Sequence, residues 1–130
     1  LQTRAFSHIA DVAPAIARSP LVDAARNEVF NVGADQPYTI LELANAIAQA
    51  FGVEPAVLHL EARNEVVDAF SDHSKARRVF GAADPITLKD GIERMAAWVR
   101  EQGPREQIDF VGEIEVDINL PPSWRKRQAR

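Results

Sequence analysis

Apolar residues recur at Ile40, Leu43, Ala44, Ile47, Ala48 and Phe51, a spacing that puts them on one face of a 3.6-residue helix. Thr39 precedes this run and Glu42 lies three residues beyond Thr39. In such a capping box the hydroxyl takes an early amide and the carboxylate reaches back to the cap. Gly52 stands where a left-handed residue ends a helix. A second helix is predicted from Thr87, with Leu88, Ile92, Met95 and Val99 on its buried face, closing at Gly103-Pro104. A third starts at Ser71 or Asp72 and runs through Lys75 and Arg78 to a stop at Gly81. Ahead of these, Asp11 is placed to cap a helix with Pro14 in its first turn, and Ser19-Pro20 interrupts or ends it.

Strand signals are shorter. Arg4 to Ile9 reads as extended, and Glu28 to Gly33 is an apolar run ending at a glycine, which suits a buried strand. Val57 to Leu60 and Val66 to Phe70 also look like strands, joined by the connector Glu61 to Glu65. Past residue 104 the pattern becomes irregular: acidic from Glu106 to Asp117, then Pro121-Pro122, then the basic Trp124 to Arg127. No internal repeat is visible. The expectation is a mixed α/β chain in which helices outweigh strands.

Composition narrows the class. The 130 residues are 46% hydrophobic, enough for one globular unit with a modest surplus of stability. A formal net charge of −4 argues against a dedicated nucleic-acid binder, and the basic end from Arg125 to Arg130 reads better as a solvated tail. With no cysteine, disulfides, thiolate catalysis and cysteine-based metal sites are excluded, and a reducing cytoplasm is the expected setting. No apolar run approaches membrane-spanning length. Leu1 leads directly into the first strand-like stretch, which suggests a piece of a longer chain.

Several chemistries lack their residues. The six glycines are scattered and form neither G-x-G-x-x-G nor a P-loop. The one tyrosine, Tyr38, has Glu42 rather than lysine four residues on. His8, His59 and His73 have no metal-binding spacing and read as structural. Ser7 and His8 would point to opposite faces of a strand, which removes a triad with Asp11. Arg4 and Arg63 remain, because a guanidinium offers a planar fork of donors suited to phosphate oxygens and two could clamp a diphosphate. Glu65 could accept from ribose hydroxyls. Taken from spacing alone, solvated or ion-paired arginines are the plainer reading.

A resemblance changes that weighting. Arg4-Ala5-Phe6-Ser7-His8-Ile9-Ala10-Asp11 resembles the "R-x-aromatic-x-His/Tyr-Val-x-Asp" segment of extended short-chain dehydrogenase/reductases, the NAD-dependent epimerase/dehydratase family that includes UDP-glucose 4-epimerases. Phe30-Asn31-Val32-Gly33 is similar to that family's "N-(V/L/I)-G" strand, and Leu41-Glu42-Leu43-Ala44 to the helix after it. Arg63-Asn64-Glu65-Val66 is similar to "R-x-G-(D/E)-V", and Asp72-His73-Ser74-Lys75-Ala76 with Gly81 to "D-x-S-K-A…LG". Leu88 to Trp98 resembles the closing "L-x-(E/D)-G-(L/I)…W" helix, and Ile114 to Trp124 an extension found in some members. The landmarks keep their order over essentially the whole chain. One departure stands out: only Asn64 separates Arg63 from Glu65, where the family has two residues including a glycine.

The resemblance implies the C-terminal, substrate-binding portion of an extended Rossmann-type enzyme, spanning 1–104, with 105–130 an irregular tail. Residues 9–33 would pack on an N-terminal Rossmann half that holds NAD. Arg4 and Arg63 would contact the diphosphate of a nucleotide sugar, on balance a UDP-sugar, and Glu65 the ribose; Asp11 and the Asp72–Lys75 segment would be structural. Hydride transfer in the family uses a glycine fingerprint and a tyrosine–lysine pair, neither of which occurs here, so the chain alone would be inert. The implied whole is an NAD-dependent epimerase, a homodimer. A nucleotide-sugar dehydratase, reductase or decarboxylase, or a non-catalytic binding module, would share the same portion.

Overall fold

A computed structural model describes residues 2–62, 65–81 and 84–105. Three short strands form one sheet in the order β2-β1-β3. The central strand β1 (Thr3–Ala5) runs antiparallel to β2 (Pro37–Thr39), with Arg4 opposite Tyr38, and parallel to β3 (Asp68–Ala69), with Arg4 opposite Ala69. Four helices, α1 (Ile9–Arg18), α2 (Ile40–Phe51), α3 (Ser74–Phe80) and α4 (Leu88–Gln102), supply most of the regular structure. The chain is therefore mixed α/β, and helices outweigh strands, as the pattern predicts.

Helix α2 follows its sequence signals residue by residue. The Thr39 hydroxyl accepts from the Glu42 amide at 3.1 Å, and the Glu42 carboxylate accepts from the Thr39 amide at 2.6 Å. Gly52 closes the helix at φ 69°, where a side chain would be strained. Helix α4 is capped by Thr87, whose hydroxyl accepts from the Asp90 amide at 3.1 Å. The two helices pack together, and among the described residues the buried ones are Ala48 on α2, Ile92 and Ala96 on α4, Ala76 and Phe80 on α3, and His73. Arg100 reaches across from α4, donates to the Ala50 carbonyl and lies over the Phe51 ring, 5.1 Å from its centre.

Several local expectations are corrected. The first extended stretch ends at Ala5, and α1 begins at Ile9 with His8 as its cap; His8 Nδ1 accepts from the Ala10 amide at 3.1 Å. Asp11 therefore lies in the first turn, and Pro14 in the second, where the helix forgoes a bond to the Ala10 carbonyl. Glu28 to Gly33 is not a strand, because among the described residues no strand offers it a ladder; Val29 is exposed and Phe30 turns onto Phe80, with ring centres 5.0 Å apart. Val57 to Leu60 likewise lacks a ladder, and the expected strand at 66–70 shortens to Asp68–Ala69. On α4, Met95 is exposed and Ala96 is buried: the inward line is Leu88, Ile92, Ala96 and Val99. The tail from 106 onward lies outside the described residues.

Candidate functional site

Residues 2 to 4 fasten one segment of chain. Thr3 donates its amide to the Val67 carbonyl at 2.9 Å, and its hydroxyl bonds the Asp68 carboxylate. Arg4 sends Nη1 to the carbonyls of Thr3 (2.7 Å) and Val67 (3.1 Å) and Nη2 to that of Val66 (2.8 Å). Gln2 donates from Nε2 to Glu65 Oε2 at 3.0 Å. Two of the sequence-predicted site residues, Arg4 and Glu65, thus come together at the β1–β3 side of the sheet. The third, Arg63, lies outside the described residues. The Arg4 guanidinium is engaged by backbone carbonyls.

Sequence reasoning did not single out Gln2, Thr3 and Asp68. Gln2 and Thr3 adjoin Arg4 in the chain, but the segment they bond, with Glu65 and Asp68, lies more than sixty residues away.

A second polar cluster joins residues distant in sequence. His73 is buried, with Nδ1 2.7 Å from Asp35 Oδ1 and Nε2 3.0 Å from Ser71 Oγ. An ionised Asp35 accepts only, so Nδ1 donates to it, and Nε2 lies within hydrogen-bond reach of the Ser71 hydroxyl. Asp35 also pairs with Arg77. Serine, histidine and aspartate in a row suggest nucleophilic catalysis, but here the carboxylate is shared with an arginine. The assembly fastens the loop at 33–36 to α3. Ser7 adds to it by accepting from the Ala34 amide at 2.8 Å, so close to Gly33 that a Cβ there would stand 3.0 Å from the Ser7 hydroxyl. His8 as a cap and His73 as a pin agree with their expected structural roles.

The Asp72–Lys75 segment is structural as well. Asp72 accepts from the Ser74 amide at 2.8 Å and hydroxyl at 2.9 Å. These bonds, the backbone one first, hold its carboxyl below the ordinary range, helped by the charges of Arg78 and His73. Lys75 bonds Glu28 at 2.6 Å and the Val29 carbonyl at 2.9 Å, and sits 4.7 Å from the centre of the Phe30 ring. The hydrogen bond from Lys75, and then its charge, lowers the Glu28 carboxyl.

Two clefts accompany these features. One of about 400 Å³ is lined by Ser7, Gly33, Phe70, Ser71 and His73; another of about 460 Å³ is lined by Ile16, Pro20, Val22, Phe30 and Phe80. Neither has Arg4 or Glu65 in its wall. Among the described residues, no group of three or more histidine or acidic side chains could hold a metal ion, and no helix is long and apolar enough to cross a membrane. The residues do not fit a dinucleotide: the chain has no glycine fingerprint, and the only parallel pairing among the described residues is the short β1–β3 contact.

No protein-family model matches the chain. It is similar to the UDP-glucose-4-epimerase from Stenotrophomonas maltophila, solved with NAD and formylated UDP-arabinopyranose: TM-score 0.68 and 27% identity over 78% of this chain and 31% of that one. It shares its fold with the UDP-glucuronic acid 4-epimerase from Bacillus cereus, at TM-score 0.69 and 22% identity over 78% of this chain and 33% of that one. In sequence it is similar to GDP-mannose 3,5-epimerase 1 of Oryza sativa subsp. indica, 28% identical over 115 residues, or 86% of this chain and 30% of the rice enzyme. The expected resemblance to NAD-dependent nucleotide-sugar epimerases therefore holds, and the chain spans about a third of the length of these relatives.

Proposed function

We propose that this chain is the nucleotide-sugar-binding portion of an NAD-dependent sugar-nucleotide epimerase, of the UDP-glucose 4-epimerase kind. Arg4 and Arg63 clamp the substrate diphosphate and Glu65 holds the ribose hydroxyls. The observation that carries this reading is the reach of Arg4 to the Val66 and Val67 carbonyls, next to Glu65 in the chain, in a fold shared with epimerases solved with UDP-sugars.

NAD and the residues that move hydride belong to another part of the protein. What this chain contributes is position: binding energy from the nucleotide end holds the sugar in a reactive orientation. By itself it turns over nothing.

Calorimetric titration of the natural polypeptide that carries this chain, with UDP, dTDP and GDP in turn, tests the reading. One nucleotide is expected to bind tightly and to weaken strongly on Arg4→Ala or Arg63→Ala. Absence of binding by all three overturns the nucleotide-sugar reading; binding without sugar epimerisation points to a dehydratase, a reductase or a non-catalytic module.

A further inference from the structure

Arg4 has two demands on one guanidinium. In the free protein it holds the Val66 and Val67 carbonyls, and on the proposed function it must also meet a diphosphate. A guanidinium has five N–H donors, but Nη1 and Nη2 are the ones facing those carbonyls. A phosphate oxygen is a stronger acceptor than a neutral carbonyl, so on the proposed function a diphosphate competes with the Val66 and Val67 carbonyls for these donors.

Among the described residues, that segment has little apolar burial. Val66, Val67 and Phe70 are all more than half exposed, and β3 is only Asp68–Ala69. Apolar burial does not anchor it; hydrogen bonds do. Among those that remain once Arg4 turns to a ligand are the β1–β3 pairing, the Thr3 amide to Val67, the Thr3 hydroxyl to Asp68, and Gln2 to Glu65.

We propose that the side-chain bond between Thr3 and Asp68 is a positioning element of the nucleotide site, keeping the 65–68 segment in place when Arg4 exchanges backbone carbonyls for ligand oxygens. Thr3 and Asp68 touch no ligand themselves. They act through Glu65, three residues before Asp68, whose carboxylate Gln2 also orients. This inference rests on the nucleotide-sugar reading above.

The test uses the natural polypeptide carrying this chain and the nucleotide among UDP, dTDP and GDP that binds it most tightly. Thr3→Val keeps the shape and strand preference of the side chain and removes the hydroxyl. It is expected to weaken nucleotide binding about tenfold, the scale of one lost hydrogen bond. Thr3→Ser, which restores the hydroxyl, is expected to bind like the unmodified protein. Amide hydrogen exchange at 66–69 in the presence of nucleotide is expected to be faster in Thr3→Val than in the unmodified protein. Should Thr3→Val not fold, Asp68→Ala carries the same expectations from the other side of the bond. Unchanged affinity and exchange in the valine and alanine variants overturn the positioning role while leaving the nucleotide reading intact. Failure of Thr3→Ser to restore binding also overturns it. If the unmodified protein binds none of the three nucleotides, the reading beneath the proposal falls with it.

Discussion

The Asp11 carboxylate accepts the backbone N–H of Ile86 at 3.0 Å and so ties the first turn of α1 to the entry of α4, across seventy-five residues. It is this long-range bond, not a cap on its own helix, that gives Asp11 its place. Asp11→Ala leaves a partly buried amide without its acceptor, at a cost of about 1–3 kcal/mol. Asp11→Asn, which keeps a carbonyl oxygen, is expected to lose less. Urea denaturation of the two variants checks this. Equal stability of Asp11→Ala and the unmodified chain would show that the bond carries no weight.

His73 gives a second expectation. Its ring links Asp35 to Ser71 inside the protein, and Asp35→Ala strips the buried Nδ1 of its partner and Arg77 of its carboxylate. The loss is expected to be about 1–3 kcal/mol. Because the residues act as a unit, combining Asp35→Ala with His73→Ala should cost less than the sum of the single losses, by at least about 0.5 kcal/mol. Strict additivity in that double-mutant cycle would contradict a shared network.

What could be read in advance divides along sequence separation. Helix α2 was legible to the residue, since Thr39, Glu42 and Gly52 act on backbone within a turn of themselves. The pin between Asp35 and His73 spans thirty-eight residues and leaves no local mark. Glu28 to Gly33 misled for a related reason: an apolar run reports that burial is wanted, but not which neighbour will provide a ladder. On α4 the exchange of Met95 for Ala96 on the inward face is a shift of one residue around the helix. Ala96, only 2% exposed, takes the inward place. At the candidate site, Arg4 and Glu65 were found through a resemblance of motifs, and the residues that fasten them were not. Those lie on β1 and β3, whose pairing only the fold discloses.

Acid should loosen the chain at identifiable points. The Glu42 carboxyl is lowered by the hydrogen bond from the Thr39 amide and then by that from its hydroxyl. Glu28 and Asp72 are lowered by Lys75 and by Ser74. A carboxyl whose folded pKa lies below its unfolded value contributes stability that is complete above the unfolded pKa. That contribution is lost as the pH falls through the folded value. With unfolded carboxyls near about 4, the loss is expected to begin there and deepen on further acidification. Urea midpoints measured between pH 6 and pH 3 should fall, and fall less steeply in Glu42→Gln, which has already given up its share. A flat profile would show that these bonds do not distinguish folded from unfolded chain.

The last expectation concerns α1, none of whose residues is buried. Ile9 is 70% and Ile16 61% exposed, Leu21 just beyond the helix 84%, and Val29 in the neighbouring segment 84%. Burying a side chain of this size is worth about 1.5–3 kcal/mol, so such a surface gains by finding a partner. On the reading that residues 9–33 pack against an NAD-binding half, residues 1–105 expressed alone should self-associate and elute ahead of a monomer in size-exclusion chromatography. Ile9→Ser combined with Ile16→Ser should shift the elution toward the monomer, while on the same reading these changes in the natural polypeptide that carries this chain should weaken its hold on the NAD-binding half. A stable, soluble monomer of the unmodified piece at high concentration would count against that packing, because the exposed isoleucines would then be tolerated by water without a partner.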